Sequence, residues 1–403
     1  MRVATGIAAL LALLVAGAAE AKVITVKPGK DAQERLQSAL IDAKPGDTVR
    51  LAAGRFALTD GLSLDVRNVT VKGAGEGKTI LDFKGQMGAG EGLMITSNGV
   101  VVRDLTVVDA KGDAVKAKGV DGISFLHMAV EWSGPPKATN GSYGVYPVSS
   151  TNVLIDGVTV KGASDAGIYV GQSKNIVVKN STAHFNVAGI EIENSMNADV
   201  HDNLSTHNAG GILIFDLPNL PQQGGHSHRV FHNRVVDNDT QNFAAKGNIV
   251  ATVPTGTGIM VMANHDVHVF DNTIDGNGTA AVILVGYKRE ISDANYEPLP
   301  TDVVIRGNKI GRNGFAPQVD ELKGMSVPPI LWDGATHFVR AGKPVDETVN
   351  VVISDGPVLD LNLKDTIDLS TARLQKMAKV DGKPVAEPKP VVLPAAQARL
   401  GGK

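Results

Sequence analysis

The sequence predicts an all-β protein: a right-handed parallel β-helix, that is, a solenoid of coils of about 22 residues with a short capping helix at its N-terminal end. Three observations predict it. The chain holds 45 Gly but only 10 Phe, 5 Tyr and 2 Trp, a composition typical of many short strands joined by tight turns. Short apolar strands recur at a nearly fixed spacing, and Gly or Asn recurs at the turns between them.

The first recurring strand opens on Gly or Ala and alternates apolar residues with other side chains. Its copies are GLMITS at Gly92, GISFLH at Gly122, GVYPVS at Gly144, GIYVGQS at Gly167, GIEIENS at Gly189, GILIFDL at Gly211, GIMVMAN at Gly258 and AVILVGY at Ala281. The steps between copies are 30, 22, 23, 22, 22, 47 and 23 residues. The 47-residue step predicts long loops inserted in one coil.

A second recurring strand follows in each unit and ends in Gly or Asn. These ends are Gly157, Asn180, Asn203, Asn233, Asn272 and Asn308. Asn tolerates the left-handed backbone region and can hydrogen-bond to equivalent residues in neighbouring coils, so a turn Asn suits a stacked solenoid. A β-sandwich with accidental spacing is the alternative, and a propeller needs blades of about 40 residues, which these steps do not match.

The two ends of the chain differ from the repeats. Residues 1–21 have the pattern of a signal peptide, with Arg2, an apolar stretch and a small-x-small cleavage site, which predicts a periplasmic or extracellular protein. Asp31 to Leu40 has helical spacing and is expected to cap the first coil. We expect residues 22–375 to form a single domain and residues 376–403, rich in Pro, Ala and Lys, to form a disordered tail.

Charge and cysteine content exclude several classes of partner and fold. The formal net charge of −3 makes nucleic acid an unlikely partner, and no stretch after the signal is long and apolar enough to span a membrane. With no cysteine, the chain has no disulfide framework and must rely on a packed core.

Several segments resemble known proteins. Val23 to Phe56 resembles the cap of pectate-lyase-like β-helix proteins. Ser164 to Asn175, Ala188 to Ser195, Gly210 to Gly225 and Gly256 to Asn264 are similar to a bacterial family of secreted right-handed parallel β-helix repeat proteins whose biochemical role is unassigned. The resemblance implies the fold and a neighbourhood of functions: pectate and alginate lyases, mannuronan epimerases, polygalacturonases and copper-site maturation proteins of nitrous oxide reductase.

The catalytic signatures of that neighbourhood are missing. The sequence lacks the Asn-Thr-Asp, Asp-Asp and Gly-His-Gly set of polygalacturonases, the Asp-Pro-His-Asp of mannuronan epimerases and the Arg-x-Pro-x-x-Arg of pectate lyases. Whether the protein is an enzyme is therefore left open, and a lyase or epimerase is the expected kind if it is one.

Period-two alternation predicts which side chains leave the core. The first outward column reads Ser124, Tyr146, Tyr169, Glu191, Leu213, Met260, Ile283; the second reads Leu126, Val148, Gly171, Glu193, Phe215, Met262, Val285. Stacked tyrosines suit sugar faces, and paired carboxylates about 6 to 7 Å apart suit acid–base chemistry or Ca²⁺. We therefore predict catalytic roles for Glu191 and Glu193, with Asp165 joining from the preceding turn, although a solvated glutamate stripe is the alternative.

Loops beside this face complete the candidate ligand site. Tyr146, Tyr169 and Phe215 are expected to contact the ligand from the strands, Asp216 from the loop that follows Phe215, and Lys246 and Asn248 from the segment Asp239 to Thr257.

A rival site combines histidines with methionines. His226 and His228 alternate on one predicted strand, and Met260 and Met262 offer soft outward sulfur atoms, a set that could hold copper. Surface histidines and methionines under a loop are the alternative.

The sequence thus predicts a periplasmic or secreted β-helix that binds or modifies polysaccharide, in the manner of a polyuronide lyase, epimerase or hydrolase. Ca²⁺ is the more plausible cofactor and copper the less plausible one. The alternative is a non-enzymatic envelope factor that handles copper or helps a partner protein mature, and a structural scaffold is a third possibility.

Overall fold

The computed structural model describes residues 21–88, 90–363 and 369–401. Residues 1–20 of the predicted signal peptide lie outside this part of the chain. Its strands are β1 Val23–Val26, β2 Thr48–Leu51, β3 Gly54–Ala57, β4 Leu62–Leu64, β5 Thr70–Lys72, β6 Thr79–Asp82, β7 Leu93–Ile95, β8 Val101–Arg103, β9 Thr106–Val108, β10 Val115–Lys118, β11 Asp121–Glu131, β12 Tyr143–Val148, β13 Thr151–Lys161, β14 Ala166–Gly171, β15 Lys174–Lys179, β16 Thr182–His184, β17 Ala188–Glu193, β18 Met196–His201, β19 Leu204–Thr206, β20 Gly210–Phe215, β21 His226–Phe231, β22 Arg234–Val236, β23 Thr257–Met262, β24 His265–Phe270, β25 Thr273–Asp275, β26 Ala280–Val285, β27 Thr301–Arg306, β28 Lys309–Ile310, β29 Ile330–Trp332, β30 His337–Arg340, β31 Lys343–Asp346, β32 Val351–Ile353, β33 Val358–Asp360 and β34 Gln375–Met377. The α-helices are α1 Ala32–Asp42 and α2 Ala395–Ala398, and three short 3-10 turns span Ile249–Thr252, Asp320–Leu322 and Leu369–Thr371.

Strands of successive coils pair in parallel and build two long sheets. The 12-stranded sheet runs in the order β4, β7, β10, β12, β14, β17, β20, β23, β26, β29, β33, β34, and only the last pairing is antiparallel. The 20-stranded sheet takes two strands from most coils, as where both β15 and β16 pair with β13. Each strand pairs with the equivalent strand of the neighbouring coil, which confirms the predicted parallel β-helix.

The core is a set of aligned aliphatic columns between the sheets. In the 12-stranded sheet, Ile168, Ile190, Ile212, Ile259 and Val282 are in register and fully buried. Each coil buries its inward residues on those of its neighbours, so the hydrophobic free energy is gained coil by coil.

Asparagine ladders close the turns inside the solenoid. Asn203 accepts a hydrogen bond from the backbone of Ser181, and Asn233, Asn272 and Asn308 continue the ladder at side-chain distances of 3.0, 3.0 and 2.9 Å. The predicted hydrogen bonding between coils is confirmed. The backbone detail differs, because the preceding residue takes the left-handed conformation, as Asp202 does with φ of 55°.

One repeat was assigned to the wrong sheet. The Gly122 copy belongs to β11 in the 20-stranded sheet, and the equivalent of Tyr146 one coil earlier is Lys116 on β10. Ser124 and Leu126 therefore do not head the outward columns. The 30-residue step concealed a complete coil with an insertion, and from Tyr146 onward the predicted columns match the observed register.

The N-terminal cap is as predicted. Helix α1 buries Ala32, Leu36, Ala39 and Leu40. These side chains join the interior core and cover the end of the first coil, which would otherwise expose apolar surface.

The C-terminal segment lies along the outer surface of the 20-stranded sheet, where the sequence predicted a disordered tail. Glu387 forms ion pairs of 2.8 Å with Arg229 and 2.6 Å with Arg306. Further along, the Gln397 amide donates to the carbonyl oxygens of Ile123 and Asn152, each at 2.8 Å. These contacts order the segment across several coils.

Loops cover much of the outer face of the 12-stranded sheet. They build a second apolar cluster outside the solenoid, which includes Leu213, Phe215, Met260, Ile283 and Leu331. In the described part of the chain no helix has the length and apolar character needed to cross a bilayer.

Candidate active site

Three carboxyl groups meet on the outer face of the 12-stranded sheet. Glu191 and Glu193 project from β17, and Asp165 immediately precedes β14. All three are buried, with relative exposures of 1%, 7% and 6%. The structure thus brings together the three residues for which the sequence predicted catalytic roles, and it places them beneath neighbouring side chains rather than on a solvated stripe.

The tyrosine of the adjacent coil orients Glu193. Tyr169 lies opposite Glu191 in the register, and its hydroxyl donates a hydrogen bond of 2.7 Å to Glu193 Oε1. Glu191 Oε2 is buried and accepts no hydrogen bond from the described residues. A buried carboxylate without donors is costly, so Glu191 is stable here only as the neutral acid, which can share its proton with Glu193.

A loop segment closes over Asp165. The side-chain amide of Asn248 donates a hydrogen bond of 3.1 Å to Asp165 Oδ2, although the two residues are 83 positions apart. Asn248 precedes the 3-10 turn Ile249–Thr252, whose Val250 is fully buried. The predicted approach of this loop to the carboxyl groups is therefore observed at Asn248.

Burial and mutual repulsion shift the protonation of all three groups towards neutral pH or above. Burial, then the charge of Glu193, raises the pKa of Asp165 to about 7. Burial also raises the pKa of Glu193 to about 7, although the Tyr169 hydrogen bond opposes the shift. Burial and the charge of Asp165 raise the pKa of Glu191 further above its usual range. At neutral pH the cluster therefore holds both protonated and ionised carboxyl groups.

Three tyrosines pack beside the carboxyl groups. The ring of Tyr143 lies 4.5 Å from that of Tyr146 and 4.5 Å from that of Tyr169, and the last two rings meet edge-on at 4.9 Å. Tyr169 is buried, but Tyr143 and Tyr146 are half-buried. They are the aromatic surface through which a ligand would reach the carboxyl groups. We refer to Asp165, Glu191, Glu193 and these tyrosines as the acidic site.

A cationic side chain borders the acidic site, and the sequence analysis missed it. Lys116 Nζ lies 4.7 Å from the centre of the Tyr146 ring and pairs with Glu91 at 3.0 Å and Asp113 at 3.1 Å. Burial raises the pKa of Asp113, and the two acids raise the pKa of Lys116, so the lysine stays charged. The outward column would have revealed Lys116 if the coil at β10 had been assigned correctly. Tyr143 was missed because it precedes the apolar alternation.

The other predicted ligand contacts are less accessible. Phe215 is 1% exposed within the outer apolar cluster, and Asp216 is fully buried, with its carboxylate accepting backbone hydrogen bonds from Gly224 and Gly225 at 3.0 and 3.1 Å. Asp216 thus closes its own loop, and burial raises its pKa to about 7. Lys246 is exposed on the Asn248 loop. Of these three, Lys246 is the side chain that a ligand could contact without displacing protein.

The structure does not assemble the predicted copper set. Ser227 takes a left-handed conformation with φ of 61°, so His226 and His228 do not share a face. His226 is exposed, whereas His228 is fully buried, and burial lowers its pKa to about 3. Both lie in the 20-stranded sheet, while Met260 and Met262 lie in the other sheet under loops. The described residues contain no group of three or more His, Asp or Glu side chains arranged to hold a metal.

Comparison with known proteins agrees with this architecture. Residues 59–220 match the family described as "Right handed beta helix region". Among solved structures, the A-module of the Azotobacter vinelandii mannuronan C-5 epimerase AlgE4 is 16% identical with a TM-score of 0.50, covering 85% of this chain and 97% of that chain. The A-module of AlgE6 from the same organism is 16% identical with a TM-score of 0.44, covering 85% and 92%. An alginate lyase from Paenibacillus is 16% identical with a TM-score of 0.37, covering 72% and 97%.

Among curated proteins, none matches the sequence. At these identities the likeness to solved structures concerns the fold, and the epimerase module supports it over most of both chains. The family match falls on the coils that carry the acidic site. The chain is a right-handed parallel β-helix repeat protein, as the resemblance in its sequence implied.

Proposed function

We propose that the protein binds an acidic polysaccharide across the coils that carry the acidic site and modifies it by acid–base catalysis. One observation carries the proposal: Asp165, Glu191 and Glu193 are buried together with raised pKa values beside half-buried tyrosines and a charged lysine. Clusters of strongly perturbed carboxyl groups in a cleft are typical of catalytic sites.

The carboxyl groups suit proton transfer at neutral pH. A general base and a general acid work best when their pKa values lie near the working pH. Glu193 and Asp165 both have a pKa of about 7, and each disfavours the ionisation of the other, so one can accept a proton while the other donates one. Abstraction of a proton from the carbon beside a sugar carboxylate, followed by its return or by loss of the leaving oxygen, would use this pair.

The surroundings of the carboxyl groups suit an anionic sugar. Tyr146 offers the face or edge of a ring to a pyranose, and Lys116 holds a positive charge at the same place. Lys118, one position further along the outward side of β10, is exposed and adds a second cation. A uronate residue stacked near Tyr146 would place its carboxylate against these lysines and its ring towards Glu193.

Access to the acidic site requires movement of the Asn248 loop. The hydrogen bond from Asn248 to Asp165 closes the loop over the carboxyl groups, and it is a single neutral contact between side chains. A sugar hydroxyl can replace such a contact at little cost. We infer that substrate displaces Asn248 and takes its place beside Asp165.

The fold shared with a mannuronan C-5 epimerase module is consistent with this function, and so is the predicted export of the chain to the periplasm or the medium. The proposal does not require a metal. Ca²⁺ enters as a variable, because a polyuronide itself binds Ca²⁺ through carboxylates.

The test is a screen of the mature protein against an array of glycans and a panel of polyuronides, with and without Ca²⁺. Binding is measured on the array, and modification is measured by depolymerisation and by proton NMR of the recovered polymer. The proposal expects binding or conversion of at least one uronate polymer. Binding confined to neutral glycans, or a complete negative together with a stoichiometric metal in the purified protein, would overturn it.

A further inference from the structure

The outer face of the 12-stranded sheet carries a second cavity that is chemically unlike the acidic site. It has a volume of about 400 Å³, and its floor is formed by outward side chains of β23, β26 and β29. Its walls come from the 3-10 turn Ile249–Thr252, the segment 318–322 and Leu361. We propose that this apolar cavity binds a single alkyl chain of an acyl ligand, with the polar head of the ligand at the rim.

The lining of the apolar cavity excludes most other ligands. Its floor and inner walls are aliphatic or thioether side chains, namely Ile249, Met260, Met262, Ile283, Val285, Val319, Leu322, Leu331, Leu361 and Leu369. The described lining has no aromatic ring on which a sugar could stack, in contrast to the acidic site. Unbranched methionine side chains adapt to flexible apolar ligands.

The size of the apolar cavity argues against a packing defect. Protein interiors leave few voids larger than a water molecule, because lost contacts around a void destabilise the fold. A volume of about 400 Å³ lies within the range of ligand pockets. The surrounding loops cover the rest of this aliphatic face closely, as the 4% exposure of Ile283 and of Leu331 shows. A chain that fills the cavity would complete that cover.

Charged groups stand at the rim and not on the floor. Lys288 pairs with Asp333 at 2.8 Å, and Asp333 also accepts backbone hydrogen bonds from Gly286 and Ala335, so both charges are compensated. Arg289 is exposed and has no ion pair among the described residues, while Glu321 is an exposed carboxylate on the other wall. A carboxylate head can therefore pair with Arg289 while its chain occupies the cavity.

The test is a titration of the mature protein with a fluorescent undecanoic acid that carries a dansyl group on its far end, followed by displacement with dodecanoate. We expect a saturable rise in fluorescence at one site per chain and its complete reversal by dodecanoate. Val285→Phe, which fills the apolar cavity, and Thr252→Trp, which blocks its rim, should each weaken binding at least tenfold.

Val101→Phe is the matched control, because Val101 is also a half-buried outward valine on a strand but lies in the other sheet. It should bind the probe as the wild type does, and thermal unfolding by circular dichroism checks that each variant is folded. Absence of a saturable signal, or unchanged binding by both folded cavity variants, would overturn the proposal. Because the probe contains no sugar, this result is independent of the proposed polysaccharide activity.

Discussion

The same outward columns of one sheet have two different chemistries in two successive regions. Through β10, β12, β14 and β17 the first column reads Lys116, Tyr146, Tyr169, Glu191, whereas through β20, β23, β26 and β29 it reads Leu213, Met260, Ile283, Leu331. The inward residues are aliphatic in both regions. The comparison teaches that in this solenoid the inward positions determine the fold, while the outward positions are free to build separate sites.

Removal of the two glutamates of the acidic site should give the largest effect. We expect Glu191→Gln with Glu193→Gln to abolish conversion of the polymer, by a factor of roughly a thousand or more, because the site loses both its proton acceptor and the neighbour that shares the proton. Conversion rates of the double variant and of Glu131→Gln, an exposed glutamate of the other sheet, would be compared. An unchanged double variant would show that the site assignment is wrong.

A smaller effect is expected when only the orientation of Glu193 is disturbed. Tyr169→Phe removes the 2.7 Å hydrogen bond, and since that bond lowers the pKa of Glu193, the pKa should rise further. We expect conversion to fall roughly tenfold to a hundredfold at neutral pH. If Glu193 is the base, the acidic limb of the pH–rate profile shifts to higher pH. A profile that drops uniformly without shifting would contradict this role.

Stability should depend on pH because of the acidic site. Asp165 and Glu193 ionise near 4 in the unfolded chain but have a pKa of about 7 in the fold. Below pH 4 both states are protonated and nothing is lost; between about pH 4 and 7 the unfolded chain releases its protons first, so the free energy of unfolding falls as pH rises. The expected loss is on the order of 3 kcal/mol per group.

Urea titrations at a series of pH values would measure this dependence. The Glu191→Gln, Glu193→Gln double variant should show a flatter fall, whereas Glu131→Gln should follow the wild type. Stability of the wild type that rises between pH 4 and 7 would be inconsistent with buried carboxyl groups.

The smallest effect is expected in the apolar region. Met262→Leu keeps the volume and the apolar character of the side chain, so stability should change by less than about 1.5 kcal/mol, and conversion of the polymer should not change. Thermal unfolding and the conversion assay would both be measured. A large loss of conversion in this variant would mean that the two regions are one functional unit.

The sequence predicted the fold well because the information is repeated in every coil. Aliphatic residues at Ile168, Ile190 and Ile212, followed by a turn asparagine, specify the same local structure many times. Asp165, Glu191, Glu193, Tyr146 and Tyr169 were found by the same means, since alternation places them outward.

The remaining features depend on contacts that alternation does not encode. Burial of Phe215 and Asp216 is caused by loops that fold back over the sheet, and the left-handed Ser227 separates His226 from His228. Lys116 was missed because an insertion lengthens the step to the next coil to 30 residues. The C-terminal segment is ordered by distant partners such as Arg229 and Arg306, which its own composition does not reveal.

The central claim is that the acidic site is where the protein acts on an anionic polymer. The most direct measurement is proton NMR of purified polyuronides before and after incubation with the wild-type protein and with the Glu191→Gln, Glu193→Gln double variant. The account predicts altered sugar signals with the wild type and none with the folded double variant. Equal alteration by both proteins, or no alteration and no binding by the wild type, would contradict it.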